Sequence, residues 1–237
     1  LVGSEMCIRD RYKYQRISLD SLSSLSNCCL WFSGFDNLND PFEGTYELTA
    51  QMIFGETNNV NKVNGTISAL VNDSGVCCFS KINPIDQINF KESTLMWSHY
   101  AAQFSGICIK FDQGKLLQSL NENKESRIIH KDVIYTSLAH TINTFNEAKD
   151  EDIMFKKHNA WWYEEEYRLV NIQSGKNRLL KYSPMAIQAI YVGGRVSHSS
   201  LNLVKIIRDS IRKDIPIFNV SVSNSGYKYD IHDFDEN

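Results

Sequence analysis

The feature that most constrains this fold is a series of short apolar runs, joined by connections of very unequal length. Cys29–Ser33, Val76–Ser80, Ile107–Phe111, Ile128–Tyr135, Ala186–Val192 and Ile217–Val222 each have the length and apolar or β-branched character of a strand. With Lys13–Arg16, Trp161–Ile172 and Tyr227–Ile231 the reading gives roughly seven to nine strands. A doubly wound parallel sheet needs a regular alternation of strand and helix. That alternation is missing, so the expected class is α+β, with a mixed, largely antiparallel sheet and flanking helices in a single domain.

Several helices are expected between these runs. Ser18 caps one carrying Leu19, Leu22 and Leu25, stopped at Asn27. Others are predicted from Thr45 to Phe54, from Leu95 to Phe104 with Ser93 or Thr94 as cap and Gly106 as stop, from Leu138 to about Asn159, and from Ser199 to Arg212. The polar stretches from Gly55 to Gly75, with one weak helix inside, and from Gln118 to Ser126 are expected to be loops.

Residues 1–11 resemble the translation of a sequencing adapter and are set aside as an artefact; residues 12–237 are read as the domain. The composition is 42% hydrophobic and 22% charged, that of an ordinary globular protein. No apolar run is long enough to span a bilayer, so no membrane partner is expected and a cytoplasmic location is. The net charge of −3 offers no electrostatic footprint for nucleic acid. Lys156-Lys157-His158 is a local basic spot of the kind that surface helices carry. No C-x-x-C occurs, and the cysteines, including the vicinal pairs Cys28-Cys29 and Cys77-Cys78, are expected to be small buried hydrophobes rather than zinc ligands.

Three constellations could carry chemistry. In Asn39-Asp40-Pro41-Phe42-Glu43, Asn39 is expected to form an Asx-turn and Phe42 to plug the core, while Asp40 or Glu43 could face a ligand. On the helix after Ser80, Met96, Trp97 and Tyr100 share a face and His99 lies elsewhere; no metal site is expected there. In Trp161–Ile172, read as one strand, Glu164, Glu166 and Arg168 lie on one face about 7 Å apart and lead to Val170 and Ile172. The two glutamates repel unless Arg168 or a ligand cation compensates, and burial raises a carboxyl pKa. Both a catalytic cleft and an ordinary edge-strand ion pair fit this pattern. Gly193-Gly194-Arg195 before a helix fits either a turn or an anion site.

Taken in order, Tyr12–Tyr14, Leu30-Trp31-Phe32-Ser33, Asn39–Glu43, Cys78-Phe79-Ser80, Met96–Tyr100 with Gly106–Ile109, and Trp162–Arg168 resemble the bacterial domain-of-unknown-function family 2971. That resemblance implies no particular activity. The layout is also similar to the mono-ADP-ribosyltransferases, which implies NAD as substrate. On that resemblance Glu166, with Glu164, would stabilise the oxocarbenium-like transition state as nicotinamide leaves, and Ser33 would brace the site. Lys13 or Tyr14 stands where that superfamily carries Arg or His. Asn39, Asp40, Glu43, Ser80, Trp97, His99, Tyr100 and Arg168 are the further candidates for binding a small nucleotide ligand. Two functions follow as expectations: an NAD-using enzyme of bacterial stress or phage defence, or a non-catalytic module of a defence or toxin–antitoxin system that senses a ligand or binds a protein partner.

Overall fold

A computed structural model describes residues 10–48, 57–123, 126–142, 151–172, 175 and 178–234. In chain order the elements are β1 (Asp10–Arg16), α1 (Leu19–Ser26), β2 (Cys29–Trp31), β3 (Tyr46–Leu48), α2 (Thr57–Asp73), β4 (Gly75–Ser80), α3 (Phe90–Tyr100), β5 (Gly106–Asp112), α4 (Gln113–Asn121), β6 (Arg127–Asp132), β7 (Ile134–Thr136), β8 (His140–Ile142), β9 (Lys156–His158), β10 (Glu166–Ile172), β11 (Leu179–Lys181), β12 (Ile187–Gly193), α5 (His198–Ile211), β13 (Ile217–Val222) and β14 (Tyr229–Asp233). Short 3-10 helices cover Phe35–Asn37, Glu151–Phe155, Asn159–Glu164 and Pro184–Ala186. The class is α+β, with mixed but mostly antiparallel pairing. Among the described residues, no helix is long and apolar enough to cross a membrane.

The chain forms two compact units, each built from separated segments. The first comprises residues up to Leu30, Phe79–Asn123 and Leu180 onward. Its strands run in the order β14-β13-β12-β5-β1, with β12 and β13 parallel and the other neighbours antiparallel. β1 begins at Asp10, whose carboxylate lies 2.9 Å from the Lys110 ammonium, so the ladder takes in the last two residues of the segment set aside above. Ser18 and Ser21 form a reciprocal capping box at α1. Asp112 caps α4, which buries Leu116 and Leu120 one turn apart, where the sequence suggested no helix.

Trp97 on α3 is fully buried, stacks on Phe104 at 5.2 Å and meets Tyr14 edge-on at 5.5 Å. Its indole N–H donates to the Pro84 carbonyl at 2.9 Å. Trp97→Ala is expected to destabilise the protein by about 3–5 kcal/mol through the cavity it leaves. Urea unfolding measures this, and a loss below about 1 kcal/mol would contradict the packing described. α3 starts at Phe90 rather than Leu95, because Ser93 is buried and donates to the Pro84 carbonyl instead of capping. Gly106 is not the helix stop: Ala102, Gln103 and Phe104 turn the chain in the left-handed region. A Cβ at Gly106 would lie 2.4 Å from the Gln15 carbonyl oxygen, so glycine permits the close approach of β5 to β1.

The second unit comprises Trp31–Cys78 and Lys124–Leu179. β10 and β6 pair antiparallel, β3 pairs parallel with β8, and β7 pairs parallel with β9. Its core gathers Phe35, Ile67, Leu70, Val71, Val76, Ile142, Ile153, Met154, Phe155, Val170 and Ile172. α2 forms within the asparagine-rich stretch expected to be mostly loop, because Ile67, Leu70 and Val71 line one buried side. The helix expected from Leu138 to Asn159 is instead β8, a 3-10 turn and β9 where described; residues 143–150 of that prediction lie outside the described residues. Ile153, Met154 and Phe155 are all buried, which a one-sided helix cannot achieve. Of the helix expected from Thr45 to Phe54, Tyr46–Leu48 is β3 and residues 49–54 are not described.

Candidate functional site

The Glu-x-Glu segment lies in the second unit, with geometry different from a continuous strand. Asn159–Glu164 is a 3-10 helix, Glu165 is left-handed at φ 41°, and β10 starts at Glu166. The three residues expected on one strand face therefore are not: Glu164 ends the helix, and only Glu166 and Arg168 alternate along β10. The kink at Glu165 brings the two carboxylates closer than a strand would. Glu164 lies 2.7 Å and Glu166 3.2 Å from one ammonium, that of Lys157.

Lys157 comes from β9 and Arg168 from β10, and the Asp40–Gly44 turn brings in Glu43. Asp40 makes this turn: its carboxylate accepts from the Phe42 N–H at 3.0 Å, and the Glu43 N–H donates to the Asp40 carbonyl at 3.2 Å. Asn39 is exposed, so the Asx-turn belongs to the next residue. Phe42 is 68% exposed and plugs nothing, while the Glu43 side chain is 1% exposed. The turn thus places its acid inside and its aromatic ring outside.

All five guanidinium N–H groups of Arg168 are used. Nε and Nη2 donate to Glu166 at 2.7 and 3.1 Å, Nη1 and Nη2 donate to Glu43 at 2.8 and 2.5 Å, and Nη1 also donates to the Met154 carbonyl at 2.9 Å. These are two bidentate forks, the arrangement that makes a buried arginine–carboxylate pair tolerable. The Lys157 ammonium lies within 3.5 Å of Glu43, Glu164 and Glu166, and 5.0 Å from the Trp161 ring centroid. Tyr135 accepts from the Glu166 backbone N–H at 2.8 Å. Three carboxylates face two cations, leaving one net negative charge.

Burial by itself would push the Glu166 carboxyl up, as the sequence suggested, but Arg168 and then Lys157 outweigh it and hold the group at about 2. The Cys78 thiol donates to the same carboxylate. Burial, followed by the charge on Glu166, keeps that thiol well above its usual range. Burial would lower the Lys157 ammonium, yet Glu166, Glu164 and Glu43 together raise it. Arg168 and Lys157 thus hold Glu166 charged, and Glu166 in turn raises both cations.

Residues of the Asp40–Thr45 loop line two clefts, each of about 270 Å³. Asp36, Asp40 and Glu43 line one, beside Ser68 and Asn72 of α2. The other is lined by Thr136, Ser137, Lys156, Lys157 and His158, with Phe42, Leu138 and Ile153 as apolar walls. Among the described residues, no group of three or more His, Cys, Asp or Glu side chains could hold a metal.

Seven of the candidates (Ser33, Asn39, Asp40, Glu43, Glu164, Glu166 and Arg168) fall in this unit, and Lys13, Tyr14, Ser80, Trp97, His99 and Tyr100 fall in the other. Glu43, Glu164, Glu166 and Arg168 meet in the network. Ser33 is held by a backbone bridge to Val76. In the first unit, the Tyr14 hydroxyl donates to the Ile82 carbonyl, Ser80 accepts from the Ile82 N–H, and the Lys13 ammonium lies over the Phe79 ring. His99 is exposed. Lys157 is the residue that sequence reasoning missed, since its triplet looked like a helix surface. No local signal marked it, since the third acid it meets, Glu43, comes from a distant turn.

No curated protein and no solved structure matches this chain. Residues 96–169, which run from α3 into β10 and include Lys157, Glu164, Glu166 and Arg168, match the family described as protein of unknown function (DUF2971), the family that the ordered motifs resemble.

Proposed function

We propose that the second unit is a non-catalytic, ligand-sensing module, in which the Glu43–Lys157–Glu164–Glu166–Arg168 network braces the clefts and performs no NAD chemistry. The observation that carries this reading is the state of Glu166. Its side chain is 4% exposed, and both carboxylate oxygens are taken by Arg168 and Lys157. A carboxylate that stabilises a developing oxocarbenium ion must face the reacting carbon. Glu166 faces two fixed cations instead. Such a module would serve as the sensing component of a bacterial stress, phage-defence or toxin–antitoxin system.

The competing reading, an NAD-consuming transferase with Glu166 as its key acid, is tested directly. Purified protein incubated with NAD is expected to release no nicotinamide. A nucleotide panel is expected to raise the melting temperature of the wild type. Nicotinamide release by the wild type that disappears in Glu166→Gln, with the variant folded by circular dichroism, would overturn the sensing reading in favour of the transferase.

A further inference from the structure

The β7 and β9 strands are parallel, with Ile134 opposite Lys156, Tyr135 opposite Lys157 and Thr136 opposite His158. Lys157 points into the buried network, and Tyr135 accepts from Glu166 there. Lys156 and His158 flank Lys157 on β9, and all three line the open cleft with Thr136. One strand therefore supplies both the locked charge and two further basic groups.

These groups are placed to donate. His158 Nδ1 accepts from the Ala160 N–H at 3.2 Å, so in the neutral ring the proton sits on Nε2. Thr136 Oγ1 accepts from the Leu138 N–H at 3.0 Å, which leaves its own O–H to give. The Thr45 hydroxyl is spent on the Phe42 carbonyl at 2.8 Å and contributes no donor. Among the described residues no carboxylate lines this cleft, whereas Asp36, Asp40 and Glu43 line the other. Next to the donors, Phe42 and Leu138 are 68% and 77% exposed and offer apolar surface.

We infer that this cleft binds a phosphorylated small molecule of the nucleotide class, with the phosphate on Lys156, His158 and the Thr136 and Ser137 hydroxyls and the base against Phe42 and Leu138. The inference rests on the sensing reading above and assigns its ligand. The Lys156, His158 and hydroxyl lining selects an anion, the carboxylate that interacts with Lys156, Asp152, being tied to Lys131, and the apolar walls select one with a flat organic part.

Calorimetric titration of the full chain with ADP, inorganic pyrophosphate and adenosine tests it. ADP and pyrophosphate are expected to bind, and adenosine to bind at least about tenfold more weakly than ADP. The double variant Lys156→Gln/His158→Gln is expected to lose at least about tenfold in affinity for ADP and pyrophosphate and to keep that for adenosine. Circular dichroism should show the variant folded, with its melting temperature lowered by no more than loss of the His158 cap on the Asn159–Glu164 turn explains. Equal affinity of wild type and double variant for ADP overturns the inference, as does adenosine binding as tightly as ADP; in both cases the sensing reading stands. Silence from all three compounds at millimolar concentration overturns the inference, while the sensing reading is decided by the nicotinamide assay and the nucleotide panel.

Discussion

Arg168→Met is expected to destabilise the protein by about 3–5 kcal/mol, the cost of leaving buried charges without their partner. Total stabilities of about 5–15 kcal/mol make this a loss that can unfold the chain at moderate temperature. Removing the guanidinium takes four hydrogen bonds from the Glu43 and Glu166 carboxylates and one from the Met154 carbonyl. Lys157 then faces three carboxylates alone. Arg168→Lys is expected to rescue little, because one ammonium cannot make two bidentate forks. Adding Glu43→Gln and Glu166→Gln to Arg168→Met should recover part of the loss, because uncompensated burial is its origin. Urea unfolding of the three variants measures this. A loss below about 1 kcal/mol for Arg168→Met would mean that the network is solvated and not buried.

The second large effect is loss of stability in acid. Glu166 is held at about 2 in the folded chain against 4.5 for the ordinary group. Between those values the unfolded chain binds a proton that the folded chain does not. Stability from this group is therefore complete above about pH 4.5 and drains away as the pH falls toward 2. The loss is on the order of 3 kcal/mol. Lys157 has the opposite sign: its raised folded value adds stability that is complete below the ordinary lysine range and lost only as the pH rises through the folded value. The expected profile is thus a plateau through neutrality with an acid limb. Denaturation series at pH 7, 5, 4 and 3 check it, with Glu166→Gln as reference. An equally steep acid limb in the variant would show that other carboxylates carry it.

The network is assembled across long sequence separation, and this limited what the sequence could reveal. Glu43 and Arg168 stand 125 residues apart. No local pattern pairs them, and neither residue type is suited to burial alone. The Glu164–Glu166 relation was local, yet strand periodicity placed it wrongly. The left-handed Glu165 breaks the alternation, a conformation that its residue type does not announce. Of the stripe Met96, Trp97 and Tyr100, the first two were legible because helical spacing and burial agree there, while Tyr100 is half-buried. The α2 helix was not, since asparagine has low helix propensity and the stabilising contacts are tertiary.

By itself the sequence determined the class, most strand positions, the Ser18 cap of α1 and the family resemblance that the match over residues 96–169 bears out. These are short-range matters of period, propensity and cap chemistry, which a window of a few residues specifies. Only the tertiary structure decided that Lys157 is buried, that Glu166 is clamped, that Phe42 faces out, and that Lys156 and His158 line a cleft free of carboxylates among the described residues. Each of these depends on which distant charge or surface a side chain meets. In a low-dielectric interior that meeting sets both the protonation and the role of a carboxylate, and no window along the chain contains it.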